Sequence, residues 1–201
     1  MLESTAARYN VFTVRHFLDA QTCGDLIAEA RSAPTTRAPV YIRGSDETIH
    51  ETVRKTTSFH PADATVAQIH ERLLTQKSAL EKHFGHSLTD CEQPQFLRYE
   101  PGDFFVRHQD GNTEQLEFDH LRIRRISVIV FLNDYAPELR ENCYSGGALN
   151  LYDKDNLPPD GPGPSPLFGE TGLLVAFTAE TMHEVAPVIS GERLTIITWF
   201  R

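Results

Sequence analysis

From residue 93 onward the sequence is a series of short, apolar, β-prone segments separated by turns, and this pattern limits the folds open to the chain. The predicted strands lie at residues 95–100, 104–109, 125–132, 147–152, 173–177, 182–188 and 193–200. Many short strands after a helix-rich beginning are typical of a double-stranded β-helix, or jelly roll. We therefore predict an α+β fold in which residues 93–201 form the jelly-roll core.

Residues 1–92 are predicted to support that core with a strand and helices. Residues 9–18 have the composition of a strand, and Asp19 then offers an N-cap for a helix that ends near Pro34. Residues 34–50 are rich in Pro, Thr and Gly and are expected to be mostly loop.

A second, longer helix is predicted after a strand at residues 52–59. Pro61 suits the first turn of a helix, and an apolar stripe continues from there to about residue 84, before Gly85. We expect these helices to pack on one outer face of the sheet. Residues 1–201 would then form a single domain, because 201 residues is an ordinary size for one domain.

A His and an Asp lie two positions apart in the apolar stretch that ends at Asp110. On a strand, residues i and i+2 point to the same face, so His108 and Asp110 would project together. An imidazole and a carboxylate on one face can hold a divalent metal. A third ligand would complete the facial triad of non-haem Fe(II) oxygenases. Because the chain has nine His, this pair alone indicates little without a third ligand.

A second stretch offers that third ligand. His183 lies between two apolar, β-rich runs, and Arg193 follows ten positions later. An Arg inside a barrel needs an anion, because an unpaired buried charge is very costly. A dicarboxylate cosubstrate would supply the anion, and the Arg would bind it through two parallel hydrogen bonds.

These residues resemble the Fe(II)/2-oxoglutarate dioxygenases, specifically the prolyl-hydroxylase-like branch that contains the prolyl 4-hydroxylases and the prolyl-hydroxylase-domain enzymes. The similarity covers about residues 93–201 and is looser before that. The matching motifs are Tyr99-x-x-Gly102-x-x-Phe105-Val-Arg-His108-x-Asp110, Phe131-Leu-Asn133, Gly146-Gly147-Ala-Leu149, and His183-Glu-Val-x-Pro187 with Arg193 and Trp199.

The resemblance implies a set of cofactors and residues that bind them. His108, Asp110 and His183 would bind Fe(II) and form the catalytic centre, with 2-oxoglutarate and O2 as cosubstrates and ascorbate as a further cofactor. Tyr99 would lie in the cosubstrate pocket together with Arg193. The halogenases of the family lack the carboxylate at position 110, so Asp110 favours hydroxylation.

The resemblance also implies which residues face the substrate, and it leaves one gap. Phe105, Gln109 and Trp199 match substrate-facing positions of relatives, although core packing is an equal alternative for Phe105 and Trp199. Relatives often have a Tyr at the position of Phe131, and its hydroxyl reaches the cosubstrate carboxylate. Since Phe131 has no hydroxyl, the sequence leaves open what assists Arg193.

The implied substrate is a prolyl residue of a protein or peptide, hydroxylated with release of succinate and CO2. A free amino acid or another small metabolite is the alternative. Two long loops, 111–124 and 153–170, are candidates for segments that close over the substrate. Arg122, Arg124 and Arg125 in the first loop would grip peptide carbonyls or acidic neighbours.

Composition restricts the partners and the compartment. The net charge of −9 disfavours nucleic acid and anionic membranes as partners. The three cysteines have no zinc-site spacing, and the sequence shows neither a signal peptide nor a run of eighteen apolar residues. We therefore expect a cytoplasmic protein without a membrane partner. Its oligomeric state is not indicated.

Two alternatives come from other classes of protein. One is a jelly-roll module that binds a metal or a small acid without catalysis, and oxygen-dependent succinate formation would distinguish it from an enzyme. The other is a zinc hydrolase that uses His108, Asp110 and His183 to activate water. A hydrolase needs a general base, and the sequence contains no His-Glu-x-x-His motif. It would also leave Arg193 without a role.

Overall fold

The computed structural model describes residues 2–40, 48–111, 119–138, 140–152 and 163–201. Within these residues, helices α1 to α5 lie at Leu2–Tyr9, Ala20–Ser32, Asp63–Leu74, Lys77–Phe84 and Asp119–Arg122. Strands β1 to β15 lie, in chain order, at Phe12–Val14, Thr35–Arg37, Arg54–Lys55, Thr57–Phe59, Gln95–Tyr99, Phe104–His108, Ile126–Phe131, Asp134–Tyr135, Cys143–Gly146, Leu149–Tyr152, Ser165–Leu167, Leu174–Thr178, Met182–Val185, Val188–Gly191 and Arg193–Phe200.

The strands form two main antiparallel sheets. The larger sheet has the order β1-β12-β7-β15-β5-β4-β2, and the smaller has the order β11-β10-β13-β6-β3. A further sheet, β14-β9-β8, contains the parallel pair β8 and β9. This architecture is the double-stranded β-helix that the sequence predicted, and the fold class is confirmed.

Helices α2, α3 and α4 cover one face of the larger sheet, as predicted. Leu26 of α2, Leu73 of α3 and Leu80 of α4 belong to one buried cluster, which also contains Leu194 and Ile196 of β15. Each such side chain contributes about 1.5–3 kcal/mol when it is fully buried. Among the described helices, none has the length and apolar character needed to span a membrane.

Strand β15 separates this helix-side core from an internal cavity. Successive side chains of a strand point to opposite faces. The even-numbered apolar residues of β15 therefore pack toward the helices, and its odd-numbered residues line the cavity. These cavity residues are Arg193, Thr195, Ile197 and Trp199.

The N-terminal strand is much shorter than predicted. Only Phe12–Val14 is extended, whereas residues 9–18 were expected to be, and residues 2–9 form a helix that was not predicted. Asn10 and His16 have positive φ angles of 51° and 54°. A residue in this region interrupts extended backbone, so the two positions limit the strand on either side.

The predicted helix from Pro61 to residue 84 is two helices. The first begins at Asp63, and the backbone N–H groups of Thr75 and Gln76 bond to carbonyls only three residues earlier. The Thr75 hydroxyl also donates to the carbonyl of Arg72, at 2.6 Å. This tighter turn ends the first helix, while the apolar stripe continues across the break into the second and hides it from the sequence pattern.

The predicted strand at 52–59 is divided between the two main sheets. Arg54–Lys55 pairs with β6 of the smaller sheet, and Thr57–Phe59 pairs with β5 of the larger sheet. The predicted loop 34–50 also contains a strand, β2, which pairs with β4, and its residues 41–47 lie outside the described residues. The chain therefore crosses from one sheet to the other near Thr56.

Candidate metal and cosubstrate site

His108, Asp110 and His183 meet at one end of the smaller sheet. His108 is the last residue of β6, and it lies directly opposite His183 of β13. Asp110 lies two residues beyond the end of β6. His108 and Asp110 were predicted to lie on one continuous strand, and they do not. One ligand atom from each residue lies within 4.8 Å of the others. The Nε2 atoms of His108 and His183 are 3.4 and 3.5 Å from the Asp110 carboxylate.

A β-bulge in β6 brings Phe105 to the same face as His108. Val185 pairs with Phe105 and His183 pairs with His108, so β6 uses three residues where β13 uses two. Without the extra residue, positions 105 and 108 would point to opposite faces. The Phe105 ring instead stacks on the His108 imidazole, with centroids 3.6 Å apart.

Hydrogen bonds fix the orientation of the three side chains. Nδ1 of His108 lies 2.8 Å from the carbonyl of Val106, and Nδ1 of His183 lies 2.9 Å from that of Thr181. An Nδ1–H that donates to a carbonyl leaves Nε2 free to bind a metal. The Ser127 hydroxyl donates to the Asp110 carboxylate at 2.7 Å.

The environment favours the protonation states that bind metal. Burial and, to a smaller extent, the neighbouring His108 lower the pKa of His183 to about 4, against the opposing effect of Asp110. Burial alone would raise the pKa of Asp110, but His183, His108 and the Ser127 hydroxyl hold it well below its usual value. A neutral imidazole and an ionised carboxylate are the forms that ligate a divalent ion. The donor set therefore suits Fe(II).

Arg193 is a buried cation with two free donors. Its side chain is 1% exposed, and its guanidinium carbon lies 5.2 Å from the ring centroid of Tyr99 and 5.1 Å from that of Phe131. Nη1 donates weakly to the Thr195 hydroxyl at 3.4 Å, and Nε and Nη2 have no partner in the described part of the chain. A buried charge left in this way needs an anion.

Tyr144 places a hydroxyl beside Arg193. Tyr144 is fully buried, and its hydroxyl accepts a hydrogen bond from the Gly169 N–H at 3.1 Å. Burial raises the pKa of Tyr144, and the Arg193 guanidinium and the Gly169 N–H oppose that rise. Gly147, at φ 58°, keeps this corner open, because a Cβ there would lie 3.0 Å from Cδ of Arg193 and 3.3 Å from the Tyr144 ring. The sequence did not predict this hydroxyl.

A cavity of about 520 Å³ brings the predicted site residues together. This volume is in the usual range for small-molecule sites. The predicted residues that line it are Tyr99, Phe105, His108, Gln109, Asp110, His183, Arg193 and Trp199. The Gln109 amide donates to the carbonyl of Glu180 at 2.6 Å, which fixes its side chain at the cavity wall.

Arg124 is used differently from the prediction. Its Nε and Nη2 each bond to a carboxylate oxygen of Glu92 at 2.7 Å, and its guanidinium carbon lies 3.6 Å from the ring centroid of Trp199. With 7% exposure it is already paired inside the protein, which contradicts the prediction that it grips a peptide. Arg125 donates to the carbonyl of Arg122, and for these two residues the contact with a peptide stays a prediction.

The loops that were predicted to close over the substrate are only partly described. Residues 112–118 and 153–162 lie outside the described residues, so the predicted closure of these loops concerns segments that the structure does not describe. The described ends are helix α5, which follows the first gap, and strand β11, which follows the second and pairs with β10.

The fold and this donor set define a non-haem iron oxygenase. The sequence profile of the 2OG-Fe(II) oxygenase superfamily matches residues 94–201, and the chain belongs to this superfamily. The enzymes of this superfamily are 2-oxoglutarate-dependent dioxygenases that use Fe(II), 2-oxoglutarate and O2. The family match does not support the zinc-hydrolase alternative or the module without catalysis.

Curated relatives match about half of the chain. A PKHD-type hydroxylase from Sphingopyxis alaskensis is 33% identical over 110 residues, which are 54% of this chain and 43% of the relative. A PKHD-type hydroxylase from Shewanella oneidensis is 31% identical over 108 residues, again 54% of this chain and 42% of the relative. The matched part thus spans less than half the length of these relatives.

Solved structures resemble the whole chain. The crystal structure of a prolyl-4-hydroxylase from Pseudomonas putida superposes with a TM-score of 0.70 and 26% identity, and covers 100% of this chain and 98% of that one. A prolyl hydroxylase from Trichoplax adhaerens, in complex with a peptide fragment of the hypoxia inducible factor oxygen degradation domain, gives a TM-score of 0.67 at 16% identity. That match covers 100% of this chain and 87% of the other, and it shows a shared fold.

Proposed function

We propose that this chain hydroxylates a prolyl residue of a protein or peptide, with release of succinate and CO2. The observation that carries the proposal is the similarity to the Pseudomonas putida prolyl-4-hydroxylase over nearly the full length of both chains, at 26% identity. Residues 1–201 act as one catalytic domain, in which residues 1–92 support the jelly-roll core formed by 93–201.

His108, Asp110 and His183 hold the iron in this proposal. Their two Nε2 atoms and one carboxylate oxygen would hold the ion and would leave it accessible to the cosubstrate and O2. When bound, Fe(II) supplies the oxidative chemistry that couples decarboxylation of 2-oxoglutarate to hydroxylation. Ser127 keeps the Asp110 carboxylate ionised and oriented through its 2.7 Å hydrogen bond. Ascorbate is a proposed further cofactor that rests on the family resemblance alone.

Arg193 binds the far carboxylate of 2-oxoglutarate in the proposed site. Its free Nε and Nη2 form a fork that matches the two oxygens of a carboxylate. Tyr99 pairs with Arg193 across β5 and β15 and covers the guanidinium with its ring. The Tyr144 hydroxyl accepts from Gly169 and still has its own proton to donate, so it takes the place of the hydroxyl that Phe131 lacks.

The substrate lies beside Phe105, Gln109 and Trp199. All three line the same cavity as the metal-binding residues, and Phe105 contacts His108 directly. Apolar ring surfaces with one fixed amide suit a pyrrolidine ring next to a peptide bond. A free amino acid or another small metabolite is the alternative.

Mass spectrometry tests the proposal. The protein is incubated with Fe(II), 2-oxoglutarate and O2 and with either a panel of proline-containing peptides or free proline. We expect a gain of one oxygen in a peptide with matching succinate formation, and neither product without O2 or in His108→Ala. Oxidation of free proline or another small metabolite, with every peptide and protein untouched, would replace the proposal with the alternative.

A further inference from the structure

A second buried arginine lines the same cavity as the proposed metal site. Arg54 lies on β3, the edge strand of the smaller sheet, and is 7% exposed. It pairs with Phe105 across β3 and β6, so both side chains point to the same face of the sheet. The Arg54 guanidinium carbon lies 4.9 Å from the centroid of the Phe105 ring, whose stacking partner is His108.

The hydrogen bonds of Arg54 leave one edge of its guanidinium group free. Nη1 donates to the backbone carbonyl of Pro39 at 3.0 Å, which fixes the group in place. Nε and Nη2 are shielded from solvent and have no hydrogen-bond partner among the described residues. The structure gives Arg54 no acidic partner within that part of the chain, although burying a charge without a partner is costly.

Arg54 and Arg193 present the same donors in the same way. In both residues Nη1 donates within the protein, firmly in Arg54 and weakly in Arg193, and Nε and Nη2 are left without a partner in the described part of the chain. These two nitrogens carry parallel N–H bonds, which bind the two oxygens of one carboxylate. The cavity therefore contains two separate forks for anions, one on the larger sheet and one on the smaller.

The two forks differ in their neighbours. Arg193 lies on β15 at the centre of the larger sheet, between the rings of Tyr99 and Phe131. Arg54 lies on an edge strand and contacts Phe105, a residue on the proposed substrate side. One molecule of 2-oxoglutarate has one carboxylate to place away from the metal, so it occupies only one of the two forks.

We infer that Arg54 binds a carboxylate of the substrate that is hydroxylated. The inference rests on the proposed function, because it takes Arg193 as the cosubstrate residue. Two sources of that carboxylate share this chemistry. One is the α-carboxylate of a small acid such as a free amino acid, and the other is an acidic side chain next to the target residue in a peptide.

Paired probes distinguish the two sources. N-acetyl-proline is compared with N-acetyl-prolinamide, and N-acetyl-Pro-Asp-amide with N-acetyl-Pro-Asn-amide, so that each pair differs by one carboxylate. Binding is measured by calorimetry on the full chain loaded with 2-oxoglutarate and with Mn(II) in place of Fe(II). We expect the charged member of one pair to bind at least about tenfold more tightly, as a charge-assisted pair predicts. The pair that shows the preference identifies the source.

Variants of Arg54 test whether this residue causes the preference. Arg54→Met should abolish it, and Arg54→Lys should retain part of it, because a lysine keeps the charge and loses the fork. Arg37→Met is the matched control, since it removes the same charge from a surface pair with Glu51 and should leave the preference unchanged. Arg54→Gln replaces Arg54→Met if the latter does not fold.

The outcomes separate this inference from the proposed function. If neither charged probe is preferred by the wild-type protein, or if neither binds, Arg54 does not bind a substrate carboxylate. The same conclusion follows if Arg54→Met keeps the preference. Binding of 2-oxoglutarate should be unchanged in Arg54→Met, and a loss there would show that Arg54 belongs to the cosubstrate. Failure of the proposed function would appear instead as absent succinate formation by the iron-loaded wild-type protein.

Discussion

At the scale of single residues, the site depends on donors that the protein itself leaves unused. Arg193 has two nitrogens without a partner in the described chain, whereas the Nδ1 atoms of His108 and His183 are both tied to backbone carbonyls. The bonded Nδ1 atoms hold the two imidazoles still, and Arg193 lines the cavity. Single mutations can therefore separate the contribution of Arg193 to cosubstrate binding from that of the two histidines to metal binding.

Arg193→Met should raise the KM for 2-oxoglutarate by about tenfold or more. The substitution keeps the length of the side chain and removes a charge-assisted hydrogen bond worth about 1.5–3 kcal/mol. The measurement is succinate formation against 2-oxoglutarate concentration, with Arg201→Met, which loses only an exposed pair with Asp90, as the control. An unchanged KM would show that another residue binds the cosubstrate carboxylate.

Tyr144→Phe should also raise the KM for 2-oxoglutarate, by severalfold, because it removes one neutral hydrogen bond of about 0.5–1.5 kcal/mol. Metal affinity should stay the same. Phe131→Tyr in the same chain supplies a hydroxyl from the position that relatives use, and we expect it to restore part of the affinity. If Tyr144→Phe has the wild-type KM, its hydroxyl serves the packing of Gly169 and not the cosubstrate.

The sequence predicted the candidate site residues that belong to a motif. It missed those whose place in the site depends on how the strands pair. His108, Asp110, His183 and Arg193 follow from residue type and spacing. Arg54 is an ordinary basic residue in the sequence, and its position opposite Phe105 exists only once β3 pairs with β6.

Ser127 and Tyr144 were missed for related reasons. Ser127 is the one polar residue in the fully buried strand Ile126–Phe131, and a buried polar residue in an apolar run is a signal that sequence reading could have used. Tyr144 carries no such signal. Its approach to Arg193 depends on the chain path around Gly147 and Gly169.

At the scale of elements, one part-buried ion pair connects the starts of β7 and β5, the two strands that flank β15, at the metal end of the larger sheet. Arg124 precedes β7, and Glu92 precedes β5. The pair is bidentate, and Arg124 also packs over Trp199. Asp110 lies nearby, since Arg124 Nη1 is 3.5 Å from its carbonyl oxygen.

Arg124→Met should lower the free energy of unfolding by about 1–3 kcal/mol, because it leaves the Glu92 carboxylate without its partner. It should also weaken metal binding, since the segment that carries Asp110 loses a contact. Denaturant unfolding and Mn(II) titration measure the two effects, and Arg31→Met, which breaks an exposed pair with Glu192, is the control. Wild-type values in both measurements would mean that Trp199 packing holds the segment by itself.

The bounds of an element were predictable where the same alternation of side chains continued over its whole length. The strand at 193–200 agrees with β15 to the residue, because its two faces alternate over the full length. The division of 52–59 between two sheets was not predictable, because Lys55 and Thr57 belong to one continuous β-prone run. Strand length says nothing about which sheet a strand joins.

At the scale of the whole molecule, the fold buries a histidine whose protonation lowers the free energy of unfolding at low pH. His183 is buried as a neutral imidazole, with a pKa of about 4 against an ordinary value of 6.5. The unfolded chain binds a proton more readily between these values, so stability falls as the pH drops from 6.5 to 4.

The metal-free protein should therefore lose up to about 3 kcal/mol of unfolding free energy between pH 6.5 and pH 4 from His183. The low pKa of Asp110 extends the loss to more acidic pH, because that carboxylate too must be protonated as the pH falls. Denaturant titrations across this range measure the effect. His183→Gln should flatten the profile, and a wild-type profile in that variant would show that other groups cause the loss.

The bulge in β6 gives the chain between Phe105 and His108 a fixed length. Deleting one residue there would make β6 match β13 step for step, and Phe105 and His108, then two positions apart, would share a face without the bulge. Arg54 would then keep Phe105 as its neighbour across β3 and β6. A one-residue deletion in this short segment should thus be tolerated better than a one-residue insertion, which would enlarge the bulge, because Val106 and Arg107 are exposed and make no part of the core.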